Sequence, residues 1–328
     1  MIIIPEEQAA EAIDIRQTMD AVTGAFRACS AGDMYPGGRI ALPISGEHNN
    51  GQWLTAVCRN MPYFGSKFSA VFPGNKEYGM PVDQSTISLY SNVNGEQLAL
   101  IGANYLTALK TGAGAGVATD LLARKDACTL GIIGTGFQAY AQVLAIQEIR
   151  ELKQLRLFNR HADRLEAFAE KAAKAANRDY EIIMCGSADE CAAESDIICT
   201  VTPSREPVLA DASVRPGTHI NAIGSFTPDA HEIQEETVAR ASFITTEHVD
   251  AVWQTAGDIL IPFNKGMIGK DKVRFSVGDV LSGSVQGRTD EKGITIYESI
   301  GSCVLDLAVA IAVYDQWENQ NTKISPAG

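Results

Sequence analysis

Residues 128–141 read CTLGIIGTGFQAYA, in which Gly134, Gly136 and Ala139 fall in the spacing G-x-G-x-x-A behind a short apolar run. Each of these positions has a mechanical use. Gly134 permits a tight turn, Gly136 lets backbone approach a pyrophosphate, and Ala139 allows a helix to pack closely on the preceding strand. The amides at that helix's N-terminus would supply donors and a partial positive charge. The loop residues Thr135, Phe137 and Gln138 join the same candidate dinucleotide site. Glycine turns are common, so the spacing gains meaning from a strand before it and a helix after it.

Two further patterns bear on the cofactor. The next apolar run, LRLF, ends at Asn159-Arg160-His161, where an NAD site would place Asp or Glu against the ribose 2′-hydroxyl, and no acid stands there. Arg160, with Arg164 one turn on, can instead pair with a 2′-phosphate. NADP(H) is therefore favoured and NAD(H) is the alternative; a solvated loop arginine is the other reading of Arg160. Thr200, Val201 and Thr202 end the fourth apolar run, and Ala222, Ile223 and Gly224 end the fifth. Ligands of parallel α/β sheets sit beyond the carboxyl ends of the strands, which places both segments near the nicotinamide ribose. Thr107 and Thr111 carry hydroxyls that could bond a phosphate or carboxylate.

These residues need elements to hold them. From Asp126 onward, apolar runs alternate with amphipathic stretches: TLGII, QAYAQVLAIQEI, LRLF, ADRLEAFAEKAAKAA, EIIM, DECAAE, DIICTVT, THINAIG and ASFITT. β-branched runs separated by helix-period segments predict β-α-β units and a parallel sheet with helices on both faces. Ser187 with Glu190 reads as a capping box, and Arg215-Pro216-Gly217 as the turn before THINAIG. Before residue 120, WLTAVC, KFSAVF, STISLYSNV and QLALIG are broken by GGR, PGN and NVNGE. That texture predicts a mostly antiparallel α+β region, a second domain. TALKTGAGAGVATDLLA, with small residues at close intervals, predicts a helix packed tightly on a neighbour and leading into the nucleotide domain. ITIYES reads as a strand, GSCVLDLAVAIAVYDQWEN as an amphipathic helix whose home the pattern leaves open, and NQNTKISPAG as a frayed tail. There is no internal repeat or low-complexity segment.

Composition narrows the function classes. With 328 residues, 45% of them apolar, the chain can build a sizeable core and has the length of two domains. A formal net charge of −13 sets it against nucleic-acid phosphates and anionic membrane surfaces as partners. The seven cysteines contain no C-x-x-C pair, and the five histidines, at 48, 161, 219, 231 and 248, show no H-E-x-x-H or similar spacing. Thiols in apolar runs point to a reduced, cytoplasmic protein, and no metal site is expected. The start, MIIIPEEQ, is too poor in apolar residues for a signal sequence, and no run of about 18 apolar residues suggests a membrane span.

Several motifs in one order carry more weight than one glycine loop. NMPYFGSKFSAVFPGN, LTALKTGAGAGVA, GIIGTGFQA, DIICTVTPSREPVL, RPGTHINAIGSFTPDAHEI and ITIYESIGSCVLDLAVA together resemble the ornithine cyclodeaminase and mu-crystallin family. The resemblance implies a Rossmann-type doubly wound parallel sheet over residues 121–299. It also implies an α+β substrate-binding and dimerisation domain over 1–120 with 300–328, and a homodimer. Ser299 and Gly301 join the cofactor site by the same likeness. The substrate, a small imino, oxo or amino acid, would lie between the domains with its carboxylate held by Arg39, Lys67 and Lys110. Family members usually have arginine where this chain has Lys110, which keeps the charge and loses the bidentate fork. Read alone, Lys67 in GSKFSAVF is an edge-strand lysine and Arg39 a turn residue at the surface.

Two departures bear on the reaction. Cyclodeaminases carry an Asp two residues after the glycine matching Gly224, where this chain has Phe226, and a Glu where it has Arg59. Without those anions a cationic diamine would be poorly held, so ornithine is disfavoured. SFTPD is closer to ketimine and pyrroline-2-carboxylate reductases. The expected reaction is therefore hydride transfer from NAD(P)H to the imine of a 2-oxo acid. Amino-acid dehydrogenation of the alanine type, cyclodeamination and a non-enzymatic binding role are the alternatives. Arg59, unless it is simply a solvent-facing arginine, could receive a second carboxylate, as in iminosuccinate. The proton donor is open. Lys67 is the first candidate, since the nearby cations Arg39 and Lys110 would disfavour its charged form. Asp306 and Asp229 are the others, although acids at such positions are commonly helix-surface or capping residues.

Overall fold

A computed structural model describes residues 1–45 and 49–322; His48 and residues 323–328 of the expected frayed tail lie outside the described residues. The chain divides into two compact units, Met1–Lys110 joined by the chain from Ser302 onward, and Thr111–Gly301. The division falls inside one continuous helix, ten residues before position 120. The second half of that helix is committed to the nucleotide unit, because Gly112 lies where an added Cβ would come 2.3 Å from the carbonyl oxygen of Ala141.

The first unit begins with β1 (Ile2–Ile4), α1 (Glu6–Ala12) and α2 (Ile15–Ser30). It continues through β2 (Met34–Ser45), β3 (Asn49–Cys58), β4 (Tyr63–Val71), β5 (Asp83–Ser91), β6 (Gln97–Gly102) and α3 (Asn104–Leu122). The strands form one sheet in the order β1-β6-β5-β4-β3-β2, antiparallel except that β1 runs parallel to β6. Alternation of period two puts Leu54, Ala56, Ile87, Leu89, Ala99 and Ile101 in the core. The GGR segment, expected as a turn, is part of β2. It forms an irregularity in pairing between Pro36 and Gly38, with Gly38 at φ 131°. Two consecutive glycines can satisfy a bulge as well as a turn, and a Cβ at Gly37 would collide with Thr55.

The second unit runs through β7 (Thr129–Ile133), α4 (Ala139–Ile149), β8 (Gln154–Phe158), α5 (Ala162–Lys174), β9 (Glu181–Met184), α6 (Ala188–Ala193), β10 (Ile197–Thr200) and β11 (His219–Ala222). It then adds α7 (Glu235–Arg240), β12 (Phe243–Thr246), α8 (Val249–Thr255), α9 (Gly257–Asn264), β13 (Phe275–Ser276), α10 (Val277–Leu281) and β14 (Thr295–Glu298). All eight strands are parallel, in the order β13-β12-β14-β11-β10-β7-β8-β9. Every residue of β10, β11 and β14 is buried, as strands covered on both faces must be. At α6 the capping box is only half made: Ser187 accepts from the Glu190 amide, while the Glu190 carboxylate takes the Gly186 amide one residue earlier.

The chain returns to the first unit in α11 (Cys303–Thr322), which packs on α2 and across β2 to β5. Residues 319–322, expected to fray, continue this helix. None of the described helices is long and apolar enough to cross a membrane.

Candidate active site

In the first unit, Lys67, Lys110 and Asp306 meet on the helix-covered face of the sheet. Lys67 is on β4, two residues after Gly65 and on the same face. A Cβ at Gly65 would lie 3.0 Å from Leu307 Cδ1 and 2.9 Å from the Ser88 oxygen, so glycine lets α11 settle onto the sheet there. That contact delivers Asp306, in the first turn of α11, to Lys67. Lys67 Nζ lies 3.3 Å from Asp306 Oδ1 and Lys110 Nζ 3.6 Å from Oδ2. Lys110 also donates to the Ser302 carbonyl at 3.5 Å. α3 carries Lys110 to this point from a fixed start: Glu6 accepts from the Asn104 and Tyr105 amides, and Asn104 accepts from the Ser85 amide.

The three groups are 6%, 4% and 2% exposed, so two lysines and a carboxyl are held out of bulk water together. Burial works against ionisation of Asp306, but Lys110 and Lys67 outweigh it and hold its carboxyl below the usual range. Asp306 is thus neither a cap nor a surface acid. Arg39 pairs with Leu54, and Leu54 with Lys67, so all three side chains leave the same face of the sheet. Their outer members are two strand spacings, about 10 Å, apart at the backbone. Arg59 stands away from this group: exposed, just past the end of β3, with its guanidinium 4.6 Å over the Tyr35 ring. Asp229, another proton-donor candidate, is exposed and paired with Arg205 at 3.2 Å.

In the second unit, the glycine loop joins β7 to α4. Gly134 has φ 96°, and a Cβ there would lie 2.6 Å from the Val201 oxygen, so only glycine fits. Gly136 faces open space, with nothing within 4 Å of an added Cβ. Gln138, at the N-cap of α4, makes no capping bond, which leaves the first-turn amides without a side-chain acceptor. Thr135 accepts from Asn159 at 2.6 Å, tying the loop to the end of β8, where Arg160 and Arg164 are exposed. At the end of β10, Thr200 is buried with its hydroxyl unpartnered among the described residues. Ile223 donates to the Thr200 carbonyl at 3.0 Å and Ser299 to the Ala222 carbonyl at 2.9 Å, so Thr200–Thr202, Ile223 and Ser299–Gly301 stand along one edge of the sheet. Thr111 is a buried residue of α3.

An open glycine, an uncapped helix start and arginines at the neighbouring strand end fit a dinucleotide. The α4 amides and Gly136 would take the pyrophosphate, Asn159, Arg160 and Arg164 the adenosine half, and the ends of β10, β11 and β14 the nicotinamide half.

Sequence reasoning missed a group of buried acids under this edge. Glu232 accepts from the Thr202 amide, the Thr202 hydroxyl and the Gly224 amide, each at 2.7 Å. Asp258 accepts from the Glu232 and Ile233 amides at 2.9 and 2.8 Å. Glu247 accepts from Ser299 Oγ and the Ile300 amide, and Glu298 is fully buried with neither carboxyl oxygen partnered among the described residues. Burial, then Asp258, pushes Glu232 up to about 7; burial raises Asp258 to about 6, and burial with Asp258, Glu232 and Glu247 raises Glu298 further. In a chain with so many acids, single-residue statistics send each of them to the surface.

The sheet order and glycine loop define a nicotinamide-dependent oxidoreductase of the Rossmann class. A profile of the ornithine cyclodeaminase/mu-crystallin family matches residues 3–321, and the chain belongs to that family. It is 30% identical over 316 residues to a Delta(1)-pyrroline-2-carboxylate reductase of Bacillus cereus, covering 96% of each chain. Among solved structures it resembles the Delta(1)-pyrroline-2-carboxylate reductase of Thermococcus litoralis in complex with NADH and L-proline. The TM-score is 0.93, with 28% identity over 98% of each chain. It also resembles an archaeal alanine dehydrogenase dimer with bound NAD (TM-score 0.90, 30% identity, 97% of this chain and 96% of that one).

Proposed function

We propose that this protein reduces the C=N bond of a small 2-imino acid to the corresponding amino acid. The observation that carries the reading is the buried pair Lys67 and Lys110 against the single carboxylate of Asp306. Two ammoniums at one point suit a substrate carboxylate, and Arg39 on the same sheet face adds a third cation. The hydride for the imine carbon would come from a dinucleotide held in the second unit. The imine nitrogen takes a proton, so imine, NAD(P)H and H⁺ give amine and NAD(P)⁺. Lys67, bridged to Lys110 by the two oxygens of the Asp306 carboxylate, is the residue we assign to hold that proton, while Lys110 and Arg39 neutralise the substrate carboxylate. Phe226 offers no anion to a substrate's distal amine, which argues against cyclodeamination of ornithine. Arg59, stacked on Tyr35, is left out of this reading.

Arg160 just past the end of β8 and Arg164 in the first turn of α5, with no acid at the end of β8 to meet a ribose 2′-hydroxyl, favour NADP(H) over NAD(H). The exposed apolar side chains of the β2–β3 hairpin support a homodimer built through the first unit. The thiol chemistry of the seven cysteines supports a cytoplasmic location.

The test is spectrophotometric: oxidation of NADPH and of NADH with pyrroline-2-carboxylate, piperideine-2-carboxylate, and pyruvate, glyoxylate or oxaloacetate mixed with ammonia or methylamine. Turnover with at least one imine is expected. Cofactor binding without turnover of any of them, or proline and ammonia released from ornithine, would overturn the assignment.

A further inference from the structure

We propose that Glu232 is the positioning residue for the nicotinamide half of the cofactor, an inference that rests on the dinucleotide reading of the second unit. Two βα loops must hold that half, the one after β10 and the one after β11. The Glu232 carboxylate ties the starts of these two loops together. One oxygen takes both donors of Thr202 and the other takes the Gly224 amide. The loops are packed with no slack: a Cβ at Gly224 would lie 2.1 Å from the Thr202 carbonyl oxygen and 2.7 Å from Glu232 Oε2. The β10 loop in turn presses on the glycine loop, where Val201 oxygen excludes any Cβ at Gly134. The carboxylate therefore fixes the height of two ligand-facing backbones from beneath, without itself reaching the surface.

Three donors call for an ionised acceptor. If Glu232 takes a proton, one of its oxygens becomes a hydroxyl facing an amide that also donates, and the Thr202 or Gly224 bond is lost. The groups facing Glu232 are Asp258 from α9, Glu298 from β14 and the Cys199 thiol from β10, none of them a cation. The three donors favour the ionised form, but burial and then Asp258 outweigh them, and the value is raised to about 7. The nicotinamide side of the site should therefore loosen on mild acidification while the adenosine side, built on β7 and β8, does not.

The experiment compares two ligands on the full chain: NADPH, which spans both halves, and adenosine 2′,5′-bisphosphate, which fills only the adenosine half. Dissociation constants are measured by fluorescence titration from pH 5.5 to 8.5 for the wild type and Glu232→Gln, with thermal unfolding to check folding. Because both ligands carry the same 2′-phosphate, the ratio of their constants removes its titration; the ionisation of the bisphosphate's 5′-phosphate, which has no counterpart in NADPH, is read from phosphorus NMR of the free and bound ligand and subtracted. In the wild type, NADPH binding should weaken relative to the bisphosphate by about tenfold as the pH falls through 7, the effect of one hydrogen bond to a charged group. Glu232→Gln, whose amide nitrogen would meet the Gly224 donor, should show the weakened ratio at every pH. An equal loss for both ligands in the variant, or a wild-type ratio flat across pH, would overturn the proposal. The wild-type measurement stands even if the variant fails to fold. Failure of wild-type protein to bind NADPH or NADH at all would instead overturn the cofactor reading itself.

Discussion

Asp306 sets how much charge the candidate substrate site holds. Two ammoniums in a space from which water is excluded repel each other strongly, and the carboxylate between them is what makes their burial tolerable. Replacing it with Asn keeps the shape and removes the charge. Asp306→Asn should destabilise the protein by about 3 kcal/mol, the usual consequence of leaving buried charge uncompensated. Urea unfolding at pH 7 measures this, and a loss under about 1 kcal/mol would mean water reaches the lysines. The lysines were legible as candidates only through the order of motifs, because GSKFSAVF alone describes an ordinary edge strand. What the local pattern lacked was Gly65 acting across the sheet to seat α11, a contact between residues 242 positions apart in the chain. Arg160 belongs at this scale too. As an exposed guanidinium at the end of β8, bonded only to His161 at 3.3 Å among its described hydrogen bonds, it is available to a 2′-phosphate. Arg160→Ser should lower the preference for NADPH over NADH about tenfold in kcat/KM, the effect of one charge-assisted contact. An unchanged ratio would remove it from the site.

At the scale of elements, the two glycines of the β7–α4 turn should behave differently although the motif treats them alike. Gly134 is at φ 96° and against Val201, so Gly134→Ala combines an unfavourable backbone conformation with a collision. It should lower stability by more than about 1 kcal/mol and abolish cofactor binding. Gly136 faces open space without a positive φ, so Gly136→Ala should leave stability within about 0.5 kcal/mol. Its added methyl would still hold the pyrophosphate off the backbone, and NADPH should bind more weakly. Equal thermal unfolding temperatures for the two variants, or unimpaired NADPH binding by Gly136→Ala, would show that the turn has another purpose. The parallel half of the fold was readable because buried β-branched runs and helical periods alternate at regular intervals from Thr129 on. The antiparallel half was less so. β2 is exposed along most of its length, so the alternation of Ile40, Leu42 and Ile44 marks no core face, and its Gly37-Gly38 pair imitates a turn. A three-residue strand and a seven-residue helix, β1 and α1, carry too few periods to register. α2 was legible although unread: Asp14 and Gln17 form a capping box, and Thr18, Val22, Ala25 and Phe26 line one buried face.

For the whole molecule, the first unit leaves Ile40, Leu42 and Ile44 on β2 at 60%, 50% and 50% exposure, an apolar stripe few monomers carry in water. Light scattering should give a dimer, and Leu42→Glu should shift it toward monomer; a wild-type monomer at micromolar concentration would refute that assembly. The second unit has a different global signature, buried acids without counter-ions. Glu298 is the extreme, fully buried on the central strand β14 with no hydrogen-bond partner described. Burial, then Asp258, Glu232 and Glu247, raise its folded value above the unfolded one, so the folded protein keeps a proton that the unfolded chain releases. Its contribution is therefore complete below about pH 4.5 and is lost as pH rises toward the folded value. His219 acts in the opposite sense. Burial lowers it to about 3, so its contribution is complete above about 6.5 and is lost as pH falls. Subtracting the wild type from Glu298→Gln cancels His219, which both share, and leaves Glu298 together with its coupling to Asp258, Glu232 and Glu247. Gln is neutral at every pH, so the variant should become steadily more stable than the wild type as pH rises from 5 to 8. The slope should be about 1.4 kcal/mol per pH unit until the folded value is passed. Urea midpoints at four pH values suffice, and a difference that does not grow with pH would mean the carboxyl is ionised in the fold and has found a partner.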